Sequence, residues 1–165
     1  MNAPAFAAWL ETPRMWLRCP LPGQGDAVYQ GVSQTLAQLQ TWPDSLPWAQ
    51  QPQSPEISEN YCQTCYAAWV MGLRFHHLDQ ETGTWELGYW CSLPFQHQGR
   101  MSEAVSVLCA HVLQHWPHVQ MLCRIDARNL SSLRVVQKNG FQLVKEESLV
   151  SDSGATYQVL HWVLG

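Results

Sequence analysis

Residues Glu86–Ala104 read ELGYWCSLPFQHQGRMSEA, and the fold turns on how this stretch is parsed. Trp85 to Cys91 is a strand-like aromatic and aliphatic run, and Gln96 to Met101 is a short loop. A helix opens there at once: Met101, Ala104, Val105, Leu108 and Val112 recur at helical spacing up to Trp116, and Pro117 stops the pattern. A loop passing straight from a strand into a helix gathers unpaired backbone N–H groups and the positive end of the helix dipole into one concavity, which is what holding a pyrophosphate requires when side-chain charge is scarce. Gly99 permits close backbone approach. The same arrangement also fits a plain turn, so both readings stand on this stretch by itself.

Downstream, Gln120 to Asp126 (QMLCRID) is a strand, Asn129 to Asn139 a helix with Gly140 at its left-handed end, and Phe141 to Val144 begins another strand. Asn129 and Ser132 open that helix, and as residue types they are equally an N-cap pair. A turn at Ser151-Asp152-Ser153-Gly154 leads to a last strand, Thr156 to Leu164. Upstream, Gly72 to Leu78 pairs with the Trp85 run as an antiparallel hairpin through Asp79–Gly83. Before it, Ser54-Pro55-Glu56 starts a helix whose Ile57, Tyr61, Cys65 and Trp69 share a face. Met15 to Cys19 is a first strand, and from an N-cap at Asp26 a glutamine-rich helix carries Val28, Val32, Leu36 and Leu39. Between these helices, Trp42 to Ser54 holds three prolines and two tryptophans, a wall or lid rather than a regular element. The order of elements gives an α+β class with a mixed sheet.

Taken together, Glu86-Leu-Gly88-Tyr89-Trp90, Gln96-x-x-Gly99-x-Met101 followed by Ser102-Glu103-Ala104, and Asn129-x-x-Ser132 through Gly140-Phe141 resemble the GNAT superfamily of N-acetyltransferases, in its RimJ/RimL-like branch. The resemblance implies one domain over residues 1–165, with a mostly antiparallel central sheet flanked by helices. It also implies one early strand fewer than usual between Trp69 and Glu86. Acetyl-CoA would be the acetyl donor, and no metal would take part. Backbone groups of Trp90, Cys91 and Ser92 would pair with the pantetheine arm. Amides from Gln96, His97, Gln98, Gly99, Arg100, Met101 and Ser102 would hold the pyrophosphate, and Asn129 would bond the arm. Ser132 stands where the family protonates the departing thiolate. Glu86 is either the general base or a structural acid, and Trp42 and Trp48 either line an acceptor groove or pack over the sheet. The acceptor would be a primary amine, such as a protein or peptide N-terminus or a small amine, taken up by a monomer or homodimer. A second reading keeps the cradle without the chemistry: a catalytically impaired acyl-CoA-binding or interaction module.

Composition narrows the alternatives. In 165 residues, 46% are hydrophobic, 13% charged and nine are tryptophan, which suits a packed domain rather than a disordered chain. Nine basic against thirteen acidic residues, net -4, with lysine only at Lys138 and Lys145, argue against a nucleic-acid surface. Neither a membrane span nor a basic-plus-apolar leader is read in the chain, so a cytoplasmic location is expected. The six cysteines are read as reduced and mostly structural, Cys62-x-x-Cys65 included. His111 and His115, with His118 beyond, are read as an exposed helix face, and His76 and His77 as satisfied strand residues.

Overall fold

The structure, a computed structural model, describes residues 9–44, 46–70, 78–79, 83–151 and 154–165. Two compact units emerge, one built from Met1–Arg74 with Cys91–Gln98 and the other from Phe75–Trp90 with Gly99–Gly165.

In the first unit β1 (Trp9–Glu11) and β2 (Trp16–Arg18) form an antiparallel ribbon closed by Thr12 and Met15. The β1 strand was not read from the sequence, because three residues are too few to show a period. Helix α1 (Gly25–Leu39) buries Val32, Thr35 and Leu39. Its N-terminus corrects the expected cap at Asp26: the helix starts at Gly25, and Asp26 sits in the first turn. The cap comes instead from α2 (Pro55–Val70), whose Glu59 carboxylate accepts from Gly23 N–H (2.8 and 3.0 Å) and Gly25 N–H (2.9 Å). Ser54 caps α2 as expected, its hydroxyl accepting from Ile57 N–H at 3.2 Å. The face of α2 that Ile57 and Tyr61 share is not its buried one: Ser58 and Cys62 are buried, whereas Ile57 and Tyr61 are about half exposed. The segment from Trp42 contains one 3-10 turn, Pro47–Gln50, with Ala49 fully buried.

The second unit is a five-stranded sheet in the order β3-β4-β5-β7-β6 with two helices. Its strands are β3 (Leu78–Asp79), β4 (Thr84–Glu86), β5 (Gln120–Asp126), β6 (Gln142–Val150) and β7 (Thr156–Leu164); its helices are α3 (Arg100–His115) and α4 (Leu130–Lys138). Among the described residues only the β4–β5 pair is parallel. Alternate residues of β5, Met121, Cys123 and Ile125, are buried, as are Val105, Cys109 and Val112 of α3 and Val136 of α4. The stripe expected on α3 is shifted toward Cys109, with Met101, Ala104 and Leu108 only half-buried. The expectation of an α+β fold with a mostly antiparallel mixed sheet is met. The strand expected at Gly72–Leu78 falls largely outside the described residues, as do His76, His77 and the question of a missing strand.

Candidate active site

The parallel ladder between β4 and β5 is short. Thr84, Trp85 and Glu86 stand opposite Gln120, Met121 and Leu122, and the ladder ends with Leu87 N–H donating to Leu122 O at 2.8 Å. Beyond that bond β5 runs on from Cys123 to Asp126, held on its other side by β7, while the chain after Glu86 leaves strand geometry. The strand expected to continue to Cys91 therefore stops at Glu86. From Cys123 to Asp126 the β5 backbone has no β4 ladder partner, and such an edge is the kind to which a flat amide-bearing chain adds as an extra strand.

Helix α3 opens at the end of the loop that follows this break in the ladder. Its N-cap is Gly99, held at φ +74°, and no side chain caps it. Among the described residues no hydrogen bond reaches the amides of Met101 and Ser102, so the first turn presents donors to whatever anion approaches. The loop leading here belongs to the first unit and is held there by side chains. Leu93 N–H donates to Thr35 Oγ1 (2.9 Å), and Gln96 Nε2 donates to Cys91 O (2.8 Å) and Gln38 Oε1 (2.7 Å). Gln98 O accepts from Arg14 (2.9 Å), and His97 is exposed with φ +57°. Of the backbone groups expected to serve a ligand, Cys91 O is thus occupied by Gln96, and Ser92 O accepts from Phe95 N–H at 2.9 Å.

Across the opening stands the N-terminus of α4. Asn129 caps it, Oδ1 accepting from Ser132 N–H at 3.2 Å, which commits that oxygen and leaves the Asn129 amide nitrogen for other partners. Tyr89, on the diverging segment after β4, donates its hydroxyl to Ser132 O at 3.0 Å. Burial, reinforced by nearby thiols, pushes the Tyr89 phenol well above its ordinary range, so it stays a donor. No signal in the sequence pointed to Tyr89 as the tie between these two walls. The Ser132 hydroxyl has no hydrogen-bond partner among the described residues.

Glu86 is engaged on both oxygens. Arg124 of β5 donates Nε to Oε1 and a terminal nitrogen to Oε2, each at 2.9 Å. The Glu86 bond holds the Arg124 guanidinium above its already high range. Accepting a proton would therefore require Glu86 to give up part of this fork. On the neighbouring strands, His161 of β7 stands opposite Arg124, and its Nε2 meets Glu147 Oε2 of β6 at 3.0 Å; Lys145 donates to Glu147 Oε1 at 2.8 Å. The Glu147–His161 pair is not legible in the sequence, because it depends on strand register. Trp48 is 38% exposed on its 3-10 turn and Trp42 half-buried in the first unit. None of the six cysteines is in a disulfide, and among the described residues no group of three acids, histidines or cysteines is placed to hold a metal ion. No described helix is long and apolar enough to cross a membrane.

The family description "acetyltransferase (GNAT) domain" matches residues 2–142. No curated protein matches. Among solved structures, RimL, a ribosomal L7/L12 alpha-N-protein acetyltransferase in complex with coenzyme A, superposes with TM-score 0.78 at 20% identity, covering 98% of this chain and 96% of its own. The microcin C7 self-immunity acetyltransferase MccE, in complex with acetyl-CoA and AMP, gives 0.76 at 15% identity over 90% of this chain and 91% of its own. The Salmonella typhimurium acetyltransferase that modifies the N-terminal serine of ribosomal protein L7/L12 gives 0.73 at 18% identity, covering 98% and 97%. These three share the fold.

Proposed function

The chain belongs to the GNAT acetyltransferase family, and from that premise we propose that it transfers the acetyl group of acetyl-CoA to a primary amine, the N-terminus of a protein or peptide. The observations that carry this are the parting of β4 from β5 after Leu87 and a helix N-terminus whose Met101 and Ser102 amides are unmet. An amide-bearing arm with a diphosphate at its far end suits that pair of features. Two proteins of the same fold hold coenzyme A or acetyl-CoA, and two act on ribosomal protein L7/L12, which supports this donor and this class of acceptor.

In this reading the stretch Trp90–Ser92 and the Asn129 amide nitrogen receive the pantetheine arm. The amides of Gly99 to Ser102, with the loop from Gln96 through His97 and Gln98 leading in, hold the pyrophosphate, and Arg100 adds charge. The acceptor enters as the ammonium ion and gives up a proton. Its nitrogen then forms a bond to the thioester carbonyl carbon as the carbon–sulfur bond breaks, the Ser132 hydroxyl supplies a proton to the leaving thiolate, and the second proton shed by the nitrogen restores that hydroxyl. Glu86 acts on this site through Arg124 while the fork persists. Trp42 and Trp48 are the first unit's residues offered for acceptor contact.

The test is thiol release from acetyl-CoA in the presence of peptides with free or blocked N-termini and of small amines. Release is expected with free N-terminal peptides and not with blocked ones, and Ser132→Ala should lower turnover about tenfold. Tight acetyl-CoA binding with no release for any acceptor would favour the non-catalytic module instead. Absence of binding sinks both.

A further inference from the structure

Resting on the acetyl-transfer reading, we propose that His161, oriented by Glu147, is the base that takes the proton from the acceptor amine. Glu86 then serves as the counter-ion of Arg124. Three observations point this way. Both oxygens of Glu86 already accept from Arg124, at 2.9 Å each. His161 is the register partner of Arg124, two residues along β5 from Leu122, where the ladder with β4 ends. Its side chain therefore rises one strand away from the opening, on the face that carries Glu86. Finally, the ring is held. Glu147 Oε2 lies 3.0 Å from Nε2 and Lys145 fixes the other carboxylate oxygen at 2.8 Å.

A carboxylate only accepts, so the proton sits on Nε2 and the lone pair on Nδ1. No hydrogen bond to Nδ1 is found among the described residues, and the side chain keeps 14% exposure, enough to reach solvent or an incoming amine. A histidine oriented by a carboxylate, with its second nitrogen available, is the ordinary arrangement for taking a proton near neutral pH. The charged and titratable groups around it on this sheet are Glu86 on β4, Arg124 and the Arg128-paired Asp126 on β5, Lys145 and Glu147 on β6 and Tyr157 on β7.

The step balances without any further reagent. The ammonium N–H bond breaks and its proton goes to His161 Nδ1. The freed pair forms the carbon–nitrogen bond as the carbon–sulfur bond breaks; Ser132 protonates the thiolate, the nitrogen's second proton restores the Ser132 hydroxyl, and the imidazolium, facing Glu147, later returns its proton to solvent. Glu147 is a positioning residue in this scheme.

The experiment is the pH dependence of kcat with a free N-terminal peptide, for the wild type and for His161→Gln, Glu147→Gln and Glu86→Gln. His161→Gln is expected to lower kcat about 100-fold, to leave KM for acetyl-CoA unchanged and to abolish the acidic limb of the profile, with partial rescue by added imidazole. Glu147→Gln should lower kcat about tenfold and displace the limb. Retention of the limb in His161→Gln, or a larger loss in Glu86→Gln than in His161→Gln, overturns the proposal while leaving acetyl transfer intact. A wild-type protein that binds acetyl-CoA but turns over no acceptor overturns the parent reading and this one with it. Should His161→Gln fail to fold, the wild type still decides: its acidic limb must titrate together with the imidazole resonances of His161, and a limb that titrates apart from them refutes the assignment.

Discussion

Gly25 has no room for a side chain: a Cβ built there would lie 2.6 Å from the backbone nitrogen, the Cα and the Cβ of Glu59. All three are fixed by the helix path, so rotamer change cannot relieve the clash. The same residue donates its N–H to the Glu59 carboxylate, so close approach and capping are one device: α1 is capped by a side chain from the helix it touches. The N–H of Gly23 first, then the Gln63 amide and the N–H of Gly25, hold that carboxylate below the usual range. Gly25→Ala is therefore expected to destabilise by about 1–3 kcal/mol, the range for overpacking a close contact. Urea unfolding followed by far-UV circular dichroism checks this, and an unchanged midpoint would mean that the helices can part at no cost. Neither residue stood out in the sequence, because the partners lie 34 positions apart.

At the scale of elements, what was legible were the segments whose pattern is local. The β5 and β7 spans came out as read, as did the α4 cap at Asn129 and the left-handed Gly140 that ends it, since a cap, a turn and a period-2 run are each written within a few residues. The segments misread are those decided by distant partners. The run after Glu86 keeps strand-forming residues as far as Cys91, yet loses β5 as a neighbour after Leu87, and no propensity records that departure. The candidate site divides in the same way. The loop and the two helix starts were readable as motifs, whereas the Tyr89–Ser132 tie, the Glu86–Arg124 fork and the His161–Glu147 pair depend on which strands lie side by side. Of these, Tyr89 sets the distance between the diverging segment and α4. Tyr89→Phe keeps the ring packing and removes one bond, so a loss of about 1 kcal/mol in stability is expected. A rise of several-fold in KM for acetyl-CoA, with a smaller change in kcat, should accompany it. Equal losses in kcat and kcat/KM would show that the bond matters only in the transition state.

For the molecule as a whole, the titrating groups bound the pH range of full stability from both sides. On the acid side, burial and the adjacent His115 ring hold His111 below its ordinary value, so the folded protein keeps this imidazole neutral. The unfolded chain then binds more protons than the native state as pH falls below about 6.5, and stability declines through that window until the folded pKa is passed. Farther down, burial alone would raise Asp126, but the bonds from the Arg128 side chain and N–H outweigh it and keep it low; that contribution disappears as pH drops below about 3.9. On the alkaline side the sign reverses. Burial pushes the Cys109 thiol up to about 11, and burial with smaller contributions from Cys109 and Glu86 pushes Cys123 up to about 12. Above the ordinary thiol value of about 8.5 the unfolded chain loses protons that the native state retains, so folding becomes less favourable, by on the order of 2 kcal/mol per thiol at pH 10. Stability should form a plateau between about pH 6.5 and 8.5. Urea midpoints at pH 5.5, 7.5 and 10 under reducing conditions measure it. His111→Gln should flatten the acid slope and Cys123→Ala the alkaline one, and a midpoint that climbs from pH 7.5 to 10 would show that these thiols are ionised in the folded protein.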